Sequence, residues 1–268
     1  MTYKDDQSVI DANRTAWDIQ SSSQASRWVV PPSQAEMEMA RAGKPRLILT
    51  PNKAVPADWY GPLKNCDVLG LASGGGQQMP MFAAAGAHVA SFDNSPEQLR
   101  RDQEVAQAHN LTLQTFQGDM ADLSCFENER FDLIFHPVSN VFAPNIEPVW
   151  KECFRVLKPG GRLLAGFMNP CFYLFDHDAI DSGGPLEVRF ELPFSDVDQF
   201  SEEENRHRIE QGQALEFSHS LDDQIGGQLK AGFTLGGFYE DRWDNSATPL
   251  NQYMPTSMAT LAIKPTTP

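Results

Sequence analysis

The sequence predicts an α/β fold in which a parallel sheet is covered by helices on both faces. Between Asp67 and Phe167, short apolar runs alternate with longer segments of helical periodicity. The first apolar run leads into three consecutive glycines, Gly74 to Gly76, at a place where a helix can start and where the backbone can approach a ligand closely. The second apolar run ends in Asp93, where a carboxylate can meet a ribose. These features predict one nucleotide-binding unit.

Seven strands are predicted, because seven apolar runs have the length and flanking residues of buried strands. They span residues 68–71, 89–92, 111–116, 131–135, 162–167, 234–239 and 258–263. Helices are predicted over 77–85, from Ser95 to about 109, over 145–157 and from Ser220 to about 231. Ser95 followed by Pro96 is typical of a helix start, and the segment Lys158-Pro159-Gly160-Gly161 is expected to end the third helix.

Two segments lie outside this alternation. Residues 1–60 are predicted to form a helical lead-in or cap, and residues 61–268 the main domain. Within the main domain, residues 171–215 are rich in Asp, Glu, Gly and Pro with interspersed phenylalanines, and they follow the fifth strand. Because loops at the carboxyl ends of parallel strands frame the ligand crevice, we expect this insertion to form a substrate-side wall.

Composition narrows the class of protein. A chain of 268 residues with 41% hydrophobic content can bury a full core in one domain, and a net charge of −15 disfavours binding to nucleic acid or an anionic membrane. The four cysteines are scattered without metal-binding spacing, which favours neither a metal site nor a disulfide framework. A polar N-terminus and the absence of a run of about 18 apolar residues lead us to expect a cytoplasmic location. Nothing indicates an oligomeric state.

From about Asp67 to its C-terminus, the sequence resembles class I S-adenosylmethionine-dependent methyltransferases, in particular a bacterial group that acts on small molecules of undefined identity. The matching elements are the glycine loop 70–76, Asp93, the adenine-side motif Gly118-Asp119-Met120, and the turn 155–162. The resemblance implies a Rossmann-like, doubly wound, seven-stranded and mostly parallel sheet with an antiparallel last strand. It also implies S-adenosyl-L-methionine as the cofactor.

One departure from the family pattern lies in the glycine loop. The family loop usually reads acidic-x-Gly-x-Gly-x-Gly, whereas here Gly70 stands in the acidic place and Ala72 in that of the first glycine. The usual anchor of the methionine amino group is therefore missing. Backbone carbonyls, Ser73, Gln77 or His136 would have to replace it.

The resemblance implies cofactor contacts from the loops that follow the first, second, third and fourth strands. The expected residues are Ala72, Ser73, Gly74, Gly76, Gln77, Asp93, Asn94, Gly118, Asp119, Met120 and His136. Asp93 would accept hydrogen bonds from the ribose hydroxyls, and Asp119 would accept one from the adenine amino group. The alternative for each aspartate is a helix-capping role.

His136 is the predicted catalytic residue. It leaves the end of the fourth strand, where this fold brings substrate and methyl group together, and an imidazole titrates near neutral pH. The alternative is a histidine that packs or bonds to the backbone. Substrate contacts are expected from Asn140, Trp17, Trp28, Tyr60 and Phe172. For the aromatic residues of the N-terminal segment, the alternative is a place in the core.

The predicted function is methyl transfer from S-adenosylmethionine to an unidentified small molecule. In the family reaction a substrate nucleophile attacks the methyl carbon in line, so the enzyme mainly positions the reactants and excludes water, without a metal. Two alternatives stay open. The changes at Gly70 and Ala72 suit a non-catalytic protein that binds S-adenosylmethionine or S-adenosylhomocysteine. A glycine loop with an acidic strand end also suits an NAD-dependent oxidoreductase, although Gly118-Asp119-Met120 and the Lys-Pro-Gly-Gly segment speak against it.

Overall fold

A seven-stranded sheet forms the centre of the protein, whose computed structural model describes residue 3, residues 5–23 and residues 26–266. Residues 1, 2, 4, 24 and 25 of the predicted N-terminal segment, and residues 267 and 268, lie outside the described residues. The strands are β1 (Asp67–Leu71), β2 (His88–Asp93), β3 (Gln114–Gln117), β4 (Phe131–His136), β5 (Leu157–Met168), β6 (Thr234–Asp241) and β7 (Ser257–Ile263). Their order is β3-β2-β1-β4-β5-β7-β6. Only β7 runs antiparallel to its neighbours, as expected for this fold class.

The strand register brings several carboxyl ends to one edge of the sheet. Leu71 at the end of β1 pairs with Phe92 on one side, and Gly70 pairs with Phe135 on the other. Strands β2 and β4 therefore lie on opposite sides of β1. This arrangement makes the edge the topological switch point, where open α/β sheets bind ligands.

Helices cover both faces of the sheet and extend beyond it. They are α1 (Asp6–Ser22), α2 (Gln34–Arg41), α3 (Ala57–Tyr60), α4 (Gln78–Ala84), α5 (Pro96–Ala108), α6 (Glu147–Val156), α7 (His177–Asp181), α8 (Asp196–Gln199), α9 (Glu202–Glu210) and α10 (Gly227–Ala231). One core layer centres on Trp150, Phe126 and Phe131, and the layer on the opposite face centres on Phe82 and Phe135. Among the described residues, no helix combines the length and apolarity that crossing a bilayer requires.

Two strands begin three or more residues away from the expected position. Strand β3 begins at Gln114 rather than residue 111, because Leu111 and Leu113 pack against the core before the ladder starts. Strand β5 begins at Leu157 rather than residue 162, so the segment expected to end helix α6 is part of the strand. Its glycines allow this: Gly160 has a φ of +80°, and Gly160 N donates to Lys264 O at 2.8 Å. The pairing of β5 with the chain just after β7 therefore continues through this segment.

The N-terminal helix α1 closes over the switch-point edge and contacts the insertion that follows β5. Val9, Ala12 and Ala16 of α1 pack with residues 209–217. Asn13, which is 3% exposed, donates from Nδ2 to Phe142 O at 2.9 Å and accepts from Leu215 N at 2.7 Å. Segments remote in sequence are thus joined above the sheet, and they enclose the space between them.

Candidate active site

A cavity of about 740 Å³ lies between the sheet edge, α1 and the insertion. This volume is within the range of roughly 300–1,000 Å³ that is typical of small-molecule sites. Most of the residues predicted to form the site lie on its wall. They are Trp17, Trp28, Ala72, Ser73, Gly74, Gln77, Asp93, Asn94, Gly118, Asp119, Met120 and Phe172. Gly76, Tyr60, His136 and Asn140 do not line it.

The glycine loop is held in place through its own backbone amides. Gly74 N donates to Asp93 Oδ2 at 3.0 Å, Gly75 N to Gln98 O at 3.0 Å, and Gly76 N to Asp102 Oδ1 at 2.7 Å. A Cβ at Gly74 would lie 2.7 Å from the Cβ of Gln98, and Gly75 and Gly76 have φ values of +109° and +80°. The loop therefore follows the start of α5 at a distance that only glycine permits.

Two of these amides donate to carboxylates, those of the half-buried Asp93 and the fully buried Asp102. Burial raises the pKa of Asp93 to about 6, although hydrogen bonds from Ser95 N and Gly74 N oppose the shift. Burial likewise raises the pKa of Asp102 to about 7, against a hydrogen bond of 2.5 Å from Ser91 Oγ. Asp102 was absent from the sequence prediction. Its signal was its place on the buried stripe of α5, in helical register with Gln98 and Ala106.

The departure from the family loop has a clear structural basis. Ala72 has a φ of +47°, so it adopts the left-handed conformation that glycine normally supplies, at a cost of about 1–2 kcal/mol. At Gly70, a Cβ would lie 2.0 Å from the sulfur of Met79, which is fully buried. Met79 therefore closes the place where the family carries an acidic side chain, and the loop shape survives without it.

Three residues of the cavity wall carry a buried side-chain atom with no partner among the described residues, namely Ser73 Oγ, Gln98 Oε1 and Trp243 Nε1. The side chains of Ser73 and Gln98 are more than nine-tenths buried. Buried polar groups are nearly always hydrogen-bonded, so the unpaired atoms of Ser73 and Gln98 indicate a polar ligand beside the glycine loop. They fit a nucleoside cofactor, because the adjacent Asp93 offers a carboxylate to the same space.

The adenine-side motif also lies where expected. Asp119 Oδ1 accepts from Ala121 N at 3.1 Å, and residues 120–122 form a turn rather than the short helix that a capping role would require. Burial raises the pKa of Asp119. A Cβ at Gly118 would lie 2.4 Å from Phe92 Cζ, so the motif is packed directly on the second strand.

The predictions for His136 and Asn140 are corrected by their positions. His136 is fully buried, with Nδ1 2.9 Å from Leu71 O and Nε2 2.7 Å from Asn140 Oδ1. Burial lowers the pKa of the imidazole, which disfavours its protonated form. Asn140 is also fully buried and donates from Nδ2 to Gln224 Oε1 at 2.8 Å. Both side chains position the ends of β1 and β4 from below the cavity and do not reach its interior.

Gly76 and Tyr60 also lie off the cavity wall, for different reasons. The amide of Gly76 is turned toward Asp102, on the α5 side of the loop. Tyr60 packs against the core layer on the far face of the sheet, and its hydroxyl donates to Pro45 O at 3.4 Å. The structure therefore places Tyr60 away from the cavity in which a substrate contact was expected. An aromatic residue in this segment belongs to the core here, as the alternative interpretation states.

A second residue that could not be predicted from the sequence, Arg27, lies at the mouth of the cavity. The guanidinium of Arg27 stacks 4.6 Å from the ring centroid of Trp243 and 5.3 Å from that of Trp28. Gln77 Nε2 donates to Arg27 O at 2.8 Å, which ties this segment to the glycine loop. No carboxylate pairs with Arg27 among the described residues. An arginine beside a tryptophan in a lead-in segment gave no distinct signal.

The fold is that of class I S-adenosylmethionine-dependent methyltransferases. Residues 69–165 match the family model described as a methyltransferase domain. Over 252 residues, the chain is 46% identical to the uncharacterized methyltransferase YbaJ of Bacillus subtilis, covering 94% of this chain and 97% of that protein. The chain therefore belongs to the methyltransferase family.

Solved structures agree with this assignment at the level of the fold. An S-adenosylmethionine-dependent methyltransferase from Mesorhizobium loti superposes with a TM-score of 0.57 at 16% identity, over 76% of this chain and 93% of that one. A putative S-adenosylmethionine-dependent methyltransferase from Listeria monocytogenes gives a TM-score of 0.58 at 16% identity, over 77% and 93%.

Replacing Asp102 with asparagine tests the strained carboxylate beneath the loop. Asp102→Asn keeps an acceptor for the amide of Gly76 but cannot ionise. Because the pKa of Asp102 rises from 3.8 in the unfolded chain to about 7 in the folded protein, the wild type loses stability as the pH rises through this interval. The free energy of unfolding of the variant relative to wild type should therefore increase with pH, by up to about 1.4 kcal/mol per pH unit.

Urea denaturation at about pH 5 and pH 7 measures this difference. Asp122→Asn is the control, since Asp122 is exposed and its pKa is lowered by Ser124, which places its titration below this window. A relative stability of Asp102→Asn that does not change with pH would contradict the assignment of a raised pKa.

Proposed function

We propose that this protein transfers the methyl group of S-adenosylmethionine to a small-molecule acceptor. The observation that carries the proposal is one continuous cavity, which joins the glycine loop and Asp93 on one side to an aromatic pocket of the insertion on the other. A cavity of about 740 Å³ suits a cofactor and a small acceptor side by side. A net charge of −15 supports a small molecule over a nucleic acid as acceptor.

The residues present would hold the cofactor as follows. Asp93 would accept the ribose hydroxyls, and Asp119 would accept the adenine amino group, with Gly118 and Met120 packed beside the base. Ser73 Oγ and Gln98 Oε1 would gain the partners that they lack. Ala72, Gly74, Gln77 and Asn94 would complete the wall.

The methionine part of the cofactor requires a different partner from that of the family. Because Met79 closes the acidic place at Gly70, the amino group would rely on the polar atoms of the loop, such as Ser73 Oγ. The α-carboxylate would bind Arg27, whose guanidinium is unpaired by any described carboxylate; Arg27 lines the cavity, and its backbone oxygen accepts from Gln77 Nε2.

The chemistry needs little beyond positioning. When bound, the sulfonium supplies an electrophilic methyl carbon. The chain would align the acceptor with it and exclude water, and α1 and the insertion close the cavity for that purpose. In this proposal residues 1–60 act as the cap over residues 61–268, residues 171–215 act as the substrate-side wall, and Trp17, Trp28 and Phe172 form parts of these surfaces. His136 stays a positioning residue.

The four cysteines are free thiols in the structure. Free thiols persist in reducing compartments, which supports a cytoplasmic location.

Asp93→Ala tests the cofactor assignment. The change removes a carboxylate that would accept two hydrogen bonds from the ribose, each worth about 1.5–3 kcal/mol when one partner is charged. Titration calorimetry with S-adenosylhomocysteine should show an affinity at least about 100-fold lower than that of wild type. Glu38→Ala, on the exposed face of α2, is the control and should bind normally. If Asp93→Ala is folded and keeps its affinity, the ribose assignment fails.

Arg27→Gln tests the carboxylate assignment with two ligands. 5′-Methylthioadenosine shares the adenosine and thioether groups of S-adenosylhomocysteine but lacks the amino acid part. Losing a charge-assisted contact should lower the affinity for S-adenosylhomocysteine about tenfold or more and leave that for 5′-methylthioadenosine unchanged. Arg41→Gln, whose guanidinium contacts His109 O on the surface, controls for net charge. An equal loss for both ligands would assign Arg27 a merely structural role.

A further inference from the structure

The part of the cavity formed by the insertion is an aromatic chamber. We call it the acceptor chamber, and its apolar walls are Val141, Met168, Phe172, Tyr173, Phe190, Phe194 and Phe200. The rings pack on one another: the centroids of Tyr173 and Phe194 lie 5.4 Å apart in a stacked arrangement, and those of Phe190 and Phe194 lie 5.1 Å apart. Ring faces and edges of this kind suit an apolar body or a cation.

Two carboxylates share this chamber with the rings. Tyr173 Oη donates to Glu216 Oε2 at 2.6 Å, and Glu216 N donates to Asp196 Oδ2 at 2.7 Å. Asp196 is 4% exposed, yet its other oxygen, Oδ1, has no hydrogen bond among the described residues. Glu216 Oε1 is likewise without one. Both residues line the cavity, so each offers a free acceptor atom to a ligand.

Arg208 is the cation of the described residues that acts on both carboxylates, and its charge partly opposes the rise in their pKa values without contacting either. Among the described residues, no lysine, arginine or histidine nitrogen lies within 4.0 Å of either carboxylate. The nearby Arg208 is already engaged, since it pairs with Asp178 at 2.5 Å and lies 4.5 Å above the ring of Phe200. Burial raises the pKa of Glu216 to about 7 and that of Asp196 to about 6. Buried carboxylates left unpaired are costly, and in a cleft they indicate a ligand that carries the missing charge.

We propose that the methyl acceptor is an amine, bound as its ammonium ion between Glu216 and Asp196, with an apolar or aromatic body packed against the rings of the acceptor chamber. This inference rests on the proposed methyltransferase function. The negative chamber repels carboxylate and phosphate acceptors, because their charge would meet two unpaired carboxylates in a poorly solvated space. A neutral alcohol would bring no positive charge to either carboxylate.

Atoms and charges balance in a methyl transfer that uses the bound ammonium ion and Glu216. The bound ammonium gives one proton to Glu216, which restores the nitrogen lone pair. That lone pair forms the new bond to the methyl carbon as the carbon–sulfur bond breaks, and the bonding electrons stay on sulfur. The products are the methylated ammonium ion and S-adenosylhomocysteine, and Glu216 returns its proton to solvent.

The test uses the full chain saturated with S-adenosylhomocysteine and three probes of similar size: 2-phenylethylamine, 2-phenylethanol and 3-phenylpropionate. Titration calorimetry should show binding of the amine at least about tenfold tighter than that of the alcohol, with no binding of the carboxylate. Equal binding of amine and alcohol, preference for the carboxylate, or binding of none of the three would overturn the proposal. Failure of S-adenosylhomocysteine itself to bind would instead overturn the proposed function.

Variants locate the amine within the chamber. Glu216→Gln and Asp196→Asn keep the side-chain shapes and the hydrogen bonds from Tyr173 Oη and Glu216 N but remove the charges. Each should lower the affinity for 2-phenylethylamine about tenfold or more and leave S-adenosylhomocysteine binding unchanged. Glu187→Gln, an exposed carboxylate of the same insertion, is the matched control and should change neither. Unaltered amine binding in both chamber variants would place the amine elsewhere and contradict the assignment.

Discussion

The attachment of the glycine loop to α5 is the interaction on which the rest of the site depends. Three successive loop amides, those of Gly74, Gly75 and Gly76, donate to Asp93, to the backbone of Gln98 and to Asp102. The attachment has an energetic cost. It requires two carboxylates with raised pKa values and a left-handed backbone conformation at Ala72. It fixes the loop without the acidic side chain that the family carries at this point. A methyltransferase site can therefore keep its shape after losing that residue.

The second constraint is closure of the cavity by parts of the chain far apart in sequence. Asn13 joins α1 to Phe142 and Leu215, and Ser95 Oγ at the start of α5 donates to Asp18 at 2.5 Å. The same helix thus contacts both the cofactor side and the insertion. An enclosed site keeps water from the reacting groups and strengthens the electrostatic contacts inside it. This is why the carboxylates of Glu216 and Asp196, which no described cation contacts within 4.0 Å, are the basis of the proposed amine acceptor.

Sequence reasoning recovered what depends on local pattern. The order of strands and helices, Asp93 at the end of β2 and Asp119 beyond β3 follow from apolar runs and motif spacing, and the structure has them at one edge. Contacts between residues far apart in the chain could not be predicted from the sequence. His136 follows a strand as a catalytic residue would, but the pairing with Leu71 and Asn140 that buries it is visible only in three dimensions. The acceptor chamber likewise brings Tyr173 to Glu216 across 43 residues of chain.

The most direct test of the account is calorimetric titration of the purified wild-type protein with S-adenosylhomocysteine and, in parallel, with NAD. The orphaned atoms Ser73 Oγ and Gln98 Oε1, together with Asp93 and Asp119, predict saturable binding of one S-adenosylhomocysteine per chain and no binding of NAD. Binding of NAD, or binding of neither ligand, would contradict the claim that this cavity is a methyltransferase cofactor site.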